Sequence, residues 1–181
     1  MGEAKLGPSV RRLREAQRIS LRTLAEGTGF SPSFLSQVEN NQASPSIASM
    51  ERIATALGVT LSEFFQTAEA NPLPVVRADA RPVLHSGWSK GQLEALGAGR
   101  VGGRLDPMLV TLESGGSSGS KAFASGREEF ALVLDGAVEL TLDQSEQMLG
   151  SGDAVTIRPG ALRRWRNLGD QPVRILIVAA R

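Results

Sequence analysis

The stretch Leu21–Asn40, LRTLAEGTGFSPSFLSQVEN, decides how the first part of the chain is read. Ser20 stands before it as an N-cap, since a serine hydroxyl can accept from a free N–H of the first helical turn. The helix it starts turns Leu21, Leu24 and Ala25 inward, and Ala25 is small enough for a second helix to cross closely. Gly29 follows four residues on, where a sharp turn calls for a left-handed backbone. Ser31 caps a second helix, with Pro32 at its first position, where a missing N–H costs nothing. Phe34 or Leu35, with Val38, supplies the buried side. Ser33, Ser36, Gln37 and Asn40 are left on the outer side. That side is short, polar and uncharged, and it suits entry into the major groove of DNA. Gln pairs with adenine in a bidentate way, and Ser bonds any base or a phosphate. The blander alternative is a helical hairpin with a solvated face.

Helical spacing continues around this core. Leu6, Val10 and Leu13 mark one earlier face, and Ile47, Met50, Ile53, Ala54 and Leu57 mark a later one. Gly58 reads as a helix stop. Thr60–Glu63 reads as a capping box starting a last short helix with Leu61, Phe64 and Phe65. From Glu69 the composition shifts, and Asn71-Pro72-Leu73-Pro74 breaks any helix, which places a linker at 67–82. Beyond it, Met108–Glu113, Glu129–Leu134, Ala137–Leu142, Ala154–Ile157 and Val173–Val178 read as short strands, as in a sandwich or barrel. Asp135-Gly136 between two apolar runs signals a hairpin, and Ser114–Ser120 reads as a flexible loop.

Bulk properties narrow the classes. A length of 181 residues suits two small domains. The formal charge of +1 means that any nucleic-acid surface must be a local one, drawn from Arg11, Arg12, Arg14, Arg18 and Arg22. With no cysteine, disulfides and thiolate metal sites are excluded, and the single histidine, His85, excludes a histidine-rich centre. No apolar run approaches the roughly 18–20 residues of a membrane span. The polar start, Met1–Ser9, carries no signal-peptide pattern. A soluble cytoplasmic protein without membrane contact is expected.

Several residues carry a family likeness. Leu24-Ala25, Gly29, Ser31-Pro32-Ser33, Leu35-Ser36, Glu39, Pro45-Ser46, Ile53-Ala54 and Ala56-Leu57-Gly58-Val59 resemble the Cro/repressor-like (XRE) helix-turn-helix family over residues 6–66. The resemblance implies an all-α domain of five helices with Ser31–Asn40 as the recognition helix. By position it makes Ser33 and Gln37 the base readers. Arg22, Ser31, Ser36 and Asn40 contact either base or phosphate, and Glu39 is structural.

The remainder, Arg127-Glu128-Glu129-Phe130, Asp135-Gly136, Gly152-Asp153, Pro159-Gly160 and Arg164-Trp165-Arg166-Asn167, resembles the two signature blocks of a cupin, over residues 105–181. This implies an all-β domain at 83–181, a double-sheet barrel used for sensing and dimerisation. The positions of the family's three histidines and one glutamate fall on Phe123, Ser125, Arg163 and Glu129, so only the carboxylate remains. No metal, no cofactor and no enzymatic activity are expected from one such donor. His85 lies outside both blocks, as a loop or surface residue. Phe123, Ser125, Glu129, Arg163 and Trp165 are instead the candidate pocket. Arg163 would grip a carboxylate or phosphate, Glu129 an amino or hydroxyl group, and the aromatics would form walls. The alternative is a buried Glu129–Arg163 pair filling the hole, with Trp165 as plain core. Together the halves imply a transcriptional regulator, a repressor by family habit. It would bind a double-stranded inverted-repeat operator as a homodimer and answer to a small, carboxylate-bearing effector. A cupin enzyme with a helical appendage and an antitoxin-like protein-binding module are the alternatives.

Overall fold

The structure, a computed structural model, describes residues 6–65, 75–97 and 104–180. The proline-bounded stretch Asn71–Pro74 lies outside them. Helices α1 (Leu6–Ala16), α2 (Leu21–Thr28), α3 (Pro32–Glu39) and α4 (Ile47–Ala56) come first. Their ends are set by side chains. Thr23 N–H donates to Ser20 Oγ at 3.1 Å, Phe34 N–H to Ser31 Oγ at 3.1 Å and Ser49 N–H to Ser46 Oγ at 3.2 Å. Gly29 takes φ +68° and returns its N–H to the Ala25 carbonyl, which closes α2 and frees the chain to turn into α3. Val10, Leu24, Leu35, Val38, Met50, Ile53, Leu57 and Phe64 are buried together.

Five α-helices were expected, but there are four among the described residues. The segment after Gly58 is a 3-10 helix, Leu61–Phe65. Glu63 does reach back to accept the Thr60 N–H at 2.5 Å. The Thr60 hydroxyl, however, meets Ser62 Oγ at 2.9 Å, and five residues are too few to propagate an α-helix.

The β half holds β1 (Val83–Ser86), β2 (Gly91–Ala95), β3 (Leu105–Leu112), β4 (Phe123–Ala124), β5 (Glu129–Asp135), β6 (Ala137–Leu142), β7 (Ser145–Gly150), β8 (Ala154–Ile157), β9 (Leu162–Arg166) and β10 (Val173–Ala180). They form two antiparallel sheets, ordered β1-β2-β3-β10-β5-β8 and β4-β9-β6-β7. No strand pairing closes them into one continuous barrel among the described residues. Asp135-Gly136 is not a hairpin: β5 pairs with β10 and β8, whereas β6 pairs with β7 and β9. The chain changes sheets there, through Gly136 at φ +82°. A Cβ at Gly136 would lie 3.1 Å from the Pro172 carbonyl oxygen. The two-residue hairpin falls one connection later, at Asp143-Gln144, with Asp143 at φ +53°. His85 is exposed, and it lies on β1 rather than in a loop.

The two halves are bonded to each other. At the start of α4, Ile47 N–H donates to Ser89 Oγ at 3.1 Å and Ala48 N–H to the Ser118 carbonyl at 2.8 Å. Ser86 Oγ donates to the Pro45 carbonyl at 2.8 Å, and Ser62 Oγ to Asp106. The Ser114–Ser120 segment is therefore a docking loop, not a flexible spacer. Ser118 is buried, and its hydroxyl accepts the Trp165 N–H at 3.0 Å.

Candidate functional site

Two surfaces gather the chemistry. The first is the outer face of α3. Ser33 and Gln37 are exposed on it, four residues apart and so one turn from each other. Ser31 is exposed but occupied as the α3 cap. Asn40, the C-cap of α3, donates from Nδ2 to the Ser36 carbonyl at 2.9 Å. Arg22 stands on α2, highly exposed, 3.3 Å from Glu26.

The arginine supply is smaller than the sequence suggests. Arg11 pairs with Glu15 at 2.9 Å, and Arg14 is drawn inward. Its Nε lies 2.6 Å from Glu39 Oε1 and its Nη2 2.9 Å from Oε2. The Glu39 hydrogen bond outweighs burial and holds the Arg14 guanidinium more firmly protonated. Glu39 is thus structural: it ties the end of α3 to α1. Gly7 permits the same approach, since a Cβ there would lie 2.4 Å from the Glu39 carbonyl oxygen.

The second surface is a cavity between α4 and the two sheets, about 820 Å³ of atom-free space including the part open to solvent. Phe123, Ser125, Glu129, Arg163 and Trp165 all line it. Register explains part of this: Phe123 pairs with Arg163 across β4 and β9, and the guanidinium carbon sits 5.7 Å from the Phe123 ring centre. Arg163 and Glu129 are buried and in contact, Nε to Oε2 at 2.6 Å and Nη2 to Oε1 at 2.7 Å. Arg163 Nη2 also reaches Glu51 Oε1 of α4 at 3.0 Å. Burial raises the Glu129 carboxyl above the ordinary carboxylate range. Arg163 opposes that shift, and the second carboxylate, Glu51, adds to it. Burial works against the Arg163 charge, but Glu51 and Glu129 together more than restore it.

A helix-turn-helix family profile matches residues 10–64 and a cupin domain profile residues 108–179. The HTH-type transcriptional regulator SutR of Escherichia coli K12 is 30% identical over 174 residues, covering 93% of this chain and 90% of that protein. The chain belongs to the helix-turn-helix transcriptional regulators that carry a cupin domain. The HTH-type transcriptional regulator PuuR of the same organism is 26% identical, covering 97% of this chain and 96% of its own length. A helix-turn-helix family regulator from Vibrio cholerae has the same fold, with a TM-score of 0.74 at 21% identity over 98% of this chain and 96% of that one.

This regulator binds DNA through its helical half. Its cupin half does not fit the metal that cupin enzymes hold: a permanent guanidinium charge touches Glu129, where a metal cation would have to sit. The residue that sequence reasoning missed is Glu51. It lies 112 positions from Arg163, and no local pattern links the two. One signal was present: Glu51 falls between Ile47 and Ala54 at steps of four and three, a charge on an otherwise apolar stripe.

Proposed function

We propose that the protein is a cytoplasmic homodimeric repressor that reads an inverted-repeat operator with Ser33 and Gln37 and answers to a small carboxylate-bearing effector in the cavity. The observation that carries the reading is the uncharged, exposed face of α3, capped at Ser31 and backed by buried Leu35 and Val38. Arg22, Ser31, Ser36 and Asn40 contact either base or phosphate beside Ser33 and Gln37. One such helix reads too few base pairs alone, so two half-sites about one helical turn apart follow.

The outer face of the larger sheet supports dimerisation through the cupin half. Ala131 and Val133 point inward and are buried, so alternation turns Phe130 and Leu132 outward. Phe130 pairs with Val178 and Leu132 with Leu176, which builds an apolar stripe on that face, with Phe130 itself 43% exposed. No catalytic role is assigned, because Arg163 answers the carboxylate that a metal would need. Among the described residues, no helix is long and apolar enough to cross a membrane.

Selection of bound duplexes from a random pool, with and without small cell metabolites, tests the reading. A two-fold symmetric site whose recovery changes with metabolites is expected. Failure to enrich any sequence, or unchanged enrichment by a Ser33→Ala/Gln37→Ala variant, would overturn it.

A further inference from the structure

A guanidinium offers five N–H donors on a planar fork. In Arg163, Glu129 faces the Nε–Nη2 edge: Nη2 donates to Oε1 at 2.7 Å, and Nε lies 2.6 Å from Oε2 as an ion contact without hydrogen-bond alignment. The other edge carries the Phe123 carbonyl on Nη1 at 3.2 Å and Glu51 on Nη2 at 3.0 Å. Two carboxylates on one cation leave the cluster with an excess negative charge. A further anion brought to this buried fork would add to that excess, with both edges already faced by oxygen. Replacing a carboxylate already there avoids the added charge. Glu51 is the one with an alternative, since its side chain keeps 24% exposure against 4% for Glu129. Leaving the fork returns it to water, and a carboxylate replacing a carboxylate keeps the cluster's charge unchanged.

We propose that Glu51 is a tethered stand-in for the effector: a small carboxylate or phosphate takes the Nη1–Nη2 edge of Arg163 by displacing Glu51, and so breaks the side-chain tie between α4 and the cupin half. This deepens, and rests on, the anionic-effector reading above. Trp165 Nε1 is buried without an acceptor in a residue that lines the same cavity, and gives the incoming oxygen a further donor. The consequence reaches α3 through the next residue of α4. Arg52 Nη2 donates to the Thr28 carbonyl at the end of α2, and its guanidinium carbon lies 4.5 Å from the centre of the Phe30 ring. Phe30 in turn meets Phe34 of α3 edge-on at 5.0 Å. One helix therefore holds the effector fork with Glu51 and the turn before the recognition helix with Arg52.

The test is calorimetric titration of the full chain with acetate, pyruvate and inorganic phosphate, comparing wild type, Glu51→Gln, Arg163→Ala and Arg163→Lys. Amide hydrogen exchange over residues 47–56 is followed in the same samples. With its tethered competitor removed, Glu51→Gln should bind at least one of these anions about tenfold tighter than wild type, within the usual range of coupling between sites. Arg163→Ala should abolish binding. Arg163→Lys, which keeps the charge but not the fork, should weaken it even if the alanine variant fails to fold. The anion should speed exchange in α4 of the wild type, and leave Glu51→Gln, already fast, unchanged. Equal affinity of wild type and Glu51→Gln, with Arg163 still required, would overturn the displacement and leave the sensor intact. Weaker binding by Glu51→Gln would make Glu51 a ligand-holding group and overturn it too. Binding of none of the three anions by either protein would overturn both readings.

Discussion

Replacing Arg14 by Met removes one partner of a buried bidentate pair and leaves the other in place. Glu39 keeps only 5% of its side-chain surface in contact with water, so its charge would be stranded at the junction of α1 and α3. Stranding one member of a buried pair costs about 3–5 kcal/mol. Arg14 retains 12% side-chain exposure, and water can enter where it leaves, which places the loss near the lower end, about 3 kcal/mol. That is a large share of the roughly 5–15 kcal/mol that a domain has in total. Urea unfolding of the full chain, followed by far-ultraviolet circular dichroism, measures it. The double variant Arg14→Met/Glu39→Leu carries no stranded charge and should recover most of the loss, because apolar residues of similar volume replace a buried pair well. A single-variant loss under about 1 kcal/mol, the range of an exposed pair, would refute the reasoning. So would a double variant no more stable than the single one.

Three further outcomes follow from the same geometry. Ser33→Ala and Gln37→Ala should each weaken operator binding by about ten- to a hundredfold while the melting temperature stays unchanged, since each removes an exposed side chain from the proposed base-reading pair; electrophoretic mobility shift and thermal scans check both. Phe130→Glu should shift the proposed dimer to monomer in sedimentation equilibrium, because it places a charge on the apolar stripe that Phe130 shares with Val178. Glu129 binds its proton more tightly folded than unfolded, so its contribution to stability is full below the ordinary carboxylate pKa of about 4.3 and is lost as pH rises through the raised value. The stability of wild type minus that of Glu129→Gln, measured by urea unfolding across this window, should therefore fall with rising pH, and a rising difference would contradict the assignment.

Local chemistry was legible in the sequence, and long-range company was not. Ser31-Pro32 and Gly29 fix the start of α3 and the turn before it by hydrogen bonds spanning four residues or fewer, so the sequence displays them. Asp135-Gly136 looked like a hairpin because the flanking runs are apolar and strand-like, but which sheet each run joins is decided by β10 and β9, far along the chain. β1 and β2 escaped notice because Ser86–Lys90 and the polar Gln92 and Glu94 interrupt the apolar pattern, and the partner that stabilises them is β3. The pocket was read from the cupin blocks alone. Its α4 wall was invisible because packing, not sequence proximity, brings Glu51 to Arg163.

The docking of α4 also bears on where this protein can be divided. A helix begins with N–H groups that its own turns cannot satisfy. Two of those in α4 are answered from across the chain, by Ser89 and the Ser118 carbonyl. Severing the chain between the halves would leave the helical piece with bare donors at the head of α4 and an apolar wall of Ile47 and Ala54 facing solvent. The boundary visible in composition is thus not a mechanical seam. The last α-helix of the reading head is also the roof of the chamber below it, and a fragment cut away from the cupin half is an unfinished object rather than a smaller version of the whole.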